Sequence, residues 1–73
     1  MNLYVPLEEH LHSNEIGDYL SFGLILKDEN GRELVKISDI STDEAFITEM
    51  CQLFNIHQLS PIHLLDVIED YLN

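Results

Sequence analysis

YLSFGLILKDENGRELVKISDISTDEAFITEM, residues 19–50, decides the fold, because the period of its apolar residues changes partway along. From Tyr19 to Lys27, Leu20, Phe22, Leu24 and Leu26 recur at every second residue, which places them on one face of a β-strand. DENGR interrupts the pattern. Its Asn30-Gly31 pair accepts the positive φ angles of a tight hairpin and predicts a return strand over residues 32–40. Then Phe46, Ile47 and Met50, continued by Leu53 and Phe54, recur at helical spacing. Ser41 three residues before Glu44 has the form of a capping box and predicts a helix over 42–54. Asp43 and Glu44 suit the positive end of its dipole.

Residues 2–12 (NLYVPLEEHLH) alternate, with Leu3, Val5 and Leu7 on one side and Tyr4, Glu8, His10 and His12 on the other. Pro6 marks this as an edge strand, where its missing N–H faces outward. SNEIGD is turn material. At the other end, Ser60 and Pro61 have the form of an N-cap and first helical position for a helix over 61–72, with Leu64, Leu65, Ile68 and Leu72 as its core residues. The expected fold is a single α+β domain: a three-stranded antiparallel β-meander followed by two α-helices on one sheet face, in the order βββαα.

A chain of 73 residues buries only about 60% of the surface it exposes when unfolded, so its core is thin and a homodimer covering the remaining apolar surface is an expected partner. No secretory signal is visible at the N-terminus and no apolar run is long enough to span a membrane. One cysteine, Cys51, excludes an intrachain disulfide and fits a reducing, cytoplasmic setting.

The charge is the most unusual property. Fourteen acidic residues face three basic ones, for a formal net charge of −11. Lys27, Arg32 and Lys36 lie within one ten-residue stretch, and none follows in the last half of the chain. That sign disfavours direct DNA or RNA binding and an anionic membrane, and favours a basic protein partner. The two helices do not form a DNA-binding helix-turn-helix either, since the second carries Asp66, Glu69 and Asp70 and no cation.

Glu8, His10 and His12 share one strand face, a possible start for a metal site if His57, His63 or Cys51 joins them through the fold. The competing reading, an exposed polar face on an edge strand, is the favoured one. Cys51 with His57 has the elements of a nucleophile pair, but a buried core cysteine is the ordinary reading. No phosphate-cradling loop and no G-x-S-x-G elbow exists, so neither an enzyme nor a cofactor is expected.

The terminal helix holds the best lead. Asp66, Glu69 and Asp70 neighbour one another at helical spacing, and no lysine offsets them. Read as a helix from 61 to 72, it places negative charge where the backbone dipole is already negative. A local rule broken without local compensation points to a partner-binding surface, against the plainer reading of a solubilising face. Two functions follow: an acidic interaction module that binds a basic surface, or a nucleic-acid mimic that fills another protein's binding groove. A mimic spreads carboxylates, Glu8, Glu9 and Glu15 included, over one whole face. A module confines them beside an exposed apolar patch.

DISTD at 39–43 and LSPIHLLDVIEDYL at 59–72, with YLSFGL in the central strand, resemble a family of small proteins of unknown function from Clostridia and related Firmicutes. The resemblance covers nearly the whole chain and implies a bacterial, cytoplasmic setting without implying an activity. Its matching positions are Asp39, Ser41, Asp43, Ser60, Pro61, His63, Asp66 and Asp70, most of which have turn or cap roles.

Overall fold

A computed structural model describes residues 1–73. Three strands, β1 (Leu3–Ser13), β2 (Gly17–Lys27) and β3 (Glu33–Ser41), form one antiparallel sheet in the order β1-β2-β3. Helices α1 (Glu44–Ile56) and α2 (Leu64–Leu72) follow, with a 3₁₀ turn over Pro61–His63 leading into α2. The expected βββαα architecture is the observed one.

Opposed residues in an antiparallel pair point to the same side. Tyr4 stands opposite Leu26, Pro6 opposite Leu24, Glu8 opposite Phe22, and Leu24 opposite Ile37. This is the side that α1 crosses, touching all three strands. Tyr4, Phe22, Leu24 and Leu26 meet Ile47, Met50, Cys51 and Phe54 of α1, and Leu64 and Ile68 of α2 complete the core. Each such aliphatic or aromatic burial contributes about 1.5–3 kcal/mol. Tyr71 of α2 packs edge-on against Phe46 and Phe54 of α1, at centroid distances of 6.3 and 5.9 Å.

Three local details differ from the sequence reading. In the β2–β3 hairpin only Gly31 has positive φ (79°), while Asn30 does not. Asp28 takes the turn's free amides, its carboxylate accepting from Asn30 and Arg32 at 2.9 Å each. The result is a three-residue loop of the type I turn plus G1 bulge kind, since Asp28 N–H also donates to Arg32 O and Gly31 N–H to Asp28 O. At α1 the N-cap is Asp43, whose carboxylate accepts from Phe46 N–H at 3.3 Å. Ser41 remains in β3 and its hydroxyl accepts from Asp43 N–H, so the capping box does not form. Finally, Leu53, Leu65 and Leu72 are exposed, because α1 and α2 turn narrower faces to the core than the apolar residues alone suggest.

α1 ends without a glycine. Gln58 takes the left-handed conformation (φ 50°), with Leu59 N–H donating to Phe54 O and Gln58 N–H to Asn55 O. That is a Schellman closure. It turns the chain so that Leu59 packs on the core and its carbonyl accepts from Tyr4 OH at 2.8 Å.

Asn55, one turn earlier, clips the free edge of β1. Its amide donates to Tyr4 O at 2.9 Å, and its carbonyl accepts from Tyr4 N–H at 2.7 Å. Two residues on, Pro6 offers no N–H at all. The two together close the first half of an otherwise open edge.

Candidate functional site

α2 is built as expected on its inner side and differently on its outer side. Pro61 starts a 3₁₀ turn, so the α-helix proper begins at Leu64. At 100° per residue, Leu64, Ile68 and Tyr71 lie within one narrow stripe that meets the core. Leu65 and Leu72 then fall together on one flank and Asp66 and Asp70 on the other, with Glu69 between them. The flank is open: Ile62 is 82% exposed, Leu65 61% and Leu72 52%. All three carboxylates are exposed too.

The later helix start alters the electrostatics. Asp66 now lies in the first turn of α2, where the dipole favours a carboxylate. Glu69 and Asp70 alone oppose it in the last turn, where no basic residue stands. The ion pairs of the whole chain are Met1 ammonium with Glu29 and His12 with Asp18. No lysine or arginine lies within 4 Å of any carboxylate oxygen, so the acidic strip on α2 is unneutralised. The apolar flank beside it was hidden from sequence reasoning by the assumption that every leucine of an amphipathic helix faces inward.

Glu8, His10 and His12 do share a face of β1, but it is the face toward the helices. Pro6 and Glu8 border the same hollow as Glu44 and Thr48 of α1. His10 and His12 run on past the reach of α1 and remain exposed. His12 Nδ1 lies 2.8 Å from Asp18 Oδ1 across the hairpin. No third or fourth ligand joins, and no group of three or more His, Cys, Asp or Glu side chains is arranged to hold a metal ion. His57 caps α1 beside the clipped end of β1, at the opposite end of the strand from His10 and His12. Cys51 is buried in the core, and burial pushes its thiol up to about 11, far from a thiolate nucleophile at neutral pH.

A further polar cluster lies on the sheet's outer side. Ser38, Asp39 and Ile40 bulge opposite Gly23, between the Phe22–Ser41 and Leu24–Ile37 pairs. Asp39 is held at φ 54°. Its carboxylate accepts from Ser21 Oγ at 2.6 Å and Tyr19 OH at 3.2 Å, and Glu9 accepts from Asp39 N–H at 2.8 Å and from Ser38 Oγ. Desolvation, then the hydrogen bond and charge of Asp39 and the charge of Glu9, hold the Tyr19 phenol above its ordinary value. A Cβ on Gly23 would fall 2.0 Å from Ile37 O, so only glycine admits the bulge this close. Asp39 and Ser41 were legible as members of DISTD. Glu9, Ser21 and Ser38 were not, because the bulge that gathers them breaks the strand period.

No helix is long and apolar enough to cross a membrane. Neither a curated protein nor a solved structure matches the chain. The model of a family of unknown function (DUF6514) matches residues 4–73, and the chain belongs to that family.

Proposed function

From membership in a family that carries no assigned activity, we propose that this protein is a small, non-catalytic interaction module that docks the outer face of α2 on a basic surface of a larger protein, as an adaptor or regulator. The observation that supports the reading most is the pairing on one short helix of exposed Leu65 and Leu72 with unneutralised Asp66, Glu69 and Asp70. Exposed leucines give an interface its desolvated centre; the carboxylates give it sign and steering. A bacterial cytoplasm, in Clostridia or related Firmicutes, is the proposed setting, which a single free cysteine fits.

The mimic reading asks for carboxylates spread over one face. Glu8 and Glu9 point to opposite sides of the sheet, and Glu9 is engaged by Ser38 and Asp39. This favours the module.

Affinity capture from lysate tests it. The triple variant Asp66→Asn, Glu69→Gln, Asp70→Asn and the single variant Leu65→Ser should each reduce recovery of the same basic partner at least about tenfold, one decade for every ~1.4 kcal/mol lost. Unchanged recovery by the folded variants overturns the proposal. Competition by duplex DNA for the captured partner would instead favour the mimic.

A further inference from the structure

β1 carries its aliphatic residues on the wrong side for the helices. Leu3, Val5, Leu7 and Leu11 alternate with Tyr4, Pro6, Glu8, His10 and His12, and it is the second set that shares the side of α1. The first set points away. Val5 stands opposite Ile25 and Ile25 opposite Lys36; Leu3 stands opposite Lys27. Because the side-chain period of a strand is two, the apolar set of a strand marks the side it buries. For β1, that side has no helix over it: Leu3 is exposed, Val5, Leu7, Leu11 and Ile25 are half-buried, and none of them packs against the core. An antiparallel sheet with one solvated side ordinarily alternates the other way, apolar toward its helices.

We infer that this outer sheet face is a homodimer interface, occupied by the same face of a second copy. Charge selects that occupant. The face holds Lys27 and Lys36, two of the chain's three basic residues, which no ion pair engages. Its acidic groups are Glu33, opposite Lys27, and Glu9 and Asp39, which already accept hydrogen bonds from Ser38, Asp39 N–H, Ser21 and Tyr19. Two copies can meet here near local neutrality, while their acidic α2 helices stay on the far sides of the sheets. Edge pairing through β1 is the poorer route, since Asn55 and Pro6 block the first half of its edge.

The size is adequate and small. Eleven-residue strands in a three-stranded sheet give a face roughly 36 Å by 14 Å. Packing two such faces covers about 1,000 Å² in all, the lower limit for a specific interface, so the dimer is weak and concentration-dependent. It leaves both α2 faces free, so the dimer is bivalent toward the partner proposed above without depending on that proposal.

Sedimentation velocity on the full chain tests the inference. The mass should rise from 8.5 kDa toward twice that value between about 5 and about 500 µM, and the association should strengthen in 0.5 M salt as repulsion between the −11 chains is screened. Leu7→Glu should abolish the rise. Lys36→Glu, at an exposed site outside the core, should weaken it at least about tenfold. Leu65→Glu on α2 should leave it unchanged. A constant 8.5 kDa across the range overturns the inference, as does a dimer that survives Leu7→Glu and dissolves in Leu65→Glu.

Discussion

The two ends of the sheet differ in what covers them. At one end Tyr4, Leu24 and Leu26 lie under α1, Asn55 clips the β1 edge and Leu59 closes over the top. At the other, His10, His12, Asp18 and Leu20 stand around a shallow hollow with nothing packed above them. The cause is length. Eleven residues of strand extend about 36 Å, whereas thirteen of helix extend about 20 Å, so one helix cannot roof the whole sheet. Stability therefore resides at one end of the sheet, and the strand sequence alone cannot tell which.

Gly23 sits where the two ends join, and the largest expected effect is there. Gly23→Ala places a methyl against Ile37 O, so the bulge must open or β3 must move. A loss of at least ~4 kcal/mol is expected, in the upper range for single substitutions and close to the whole stability of so small a domain. Loss of the cooperative urea transition checks it. Next, paired truncations measure the contrast directly. Leu24→Ala at the roofed end should cost about 3 kcal/mol, and Leu20→Ala, 40% exposed at the open end, less than about 1 kcal/mol. Equal costs would erase the distinction between the ends.

Asn55→Ala removes both partners of the Tyr4 backbone and should cost about 1–3 kcal/mol. Hydrogen exchange should then quicken at Tyr4 while the already open His10 and His12 amides change little. In the opposite direction, Gln58→Gly relieves the left-handed φ at the α1 terminus and should raise stability by about 0.5–1 kcal/mol.

Alkaline pH acts in the same direction at both ends, since the Tyr19 phenol at the open end is raised as well. Burial raises the Cys51 thiol to about 11 and the Tyr4 phenol above 10, both at the roofed end. In the unfolded chain both ionise nearer their ordinary values. The folded state thus binds more protons between pH ~9 and ~11, and its stability, full below pH 9, declines as pH rises through that window. Urea midpoints measured from pH 7 to 11 should fall above 9, and fall less in Cys51→Ala.

Much of this was readable in advance, and the omissions share one cause. Period-two Leu20–Leu26 and the helical Phe46–Phe54 stripe gave the element order, because each pattern is set within its own segment. What escaped depends on where one element lies relative to another: the end of the sheet α1 roofs, the side on which Leu3, Val5 and Leu7 emerge, the bulge that brings Glu9 to Asp39. The helix starts were misplaced by two or three residues because Asp43 outcompeted Ser41 as a cap, and because Pro61 led into a 3₁₀ turn before the α-helix. That shift matters for the candidate site, since it moves Asp66 from the middle of the expected helix into the first turn of the observed one, where the dipole favours it. Only Glu69 and Asp70 keep the anomaly that singled out the acidic strip.

The Asn55 clip also bears on how the chain is made. Synthesis runs from the N-terminus, so Tyr4 emerges from the ribosome 51 residues before the side chain that seals its edge. In the last part of that interval, once Ser41 is made, the meander has its three strands but neither the clip nor the roof. A nascent sheet in that state has an open edge and two apolar faces, which are features that invite pairing with neighbouring chains. The charges that protect it are early ones: Glu8, Glu9, Glu15 and Asp18 precede or open β2, ahead of the leucines they accompany. Part of the protein's acidity is thus already in place before the clip and the roof are made.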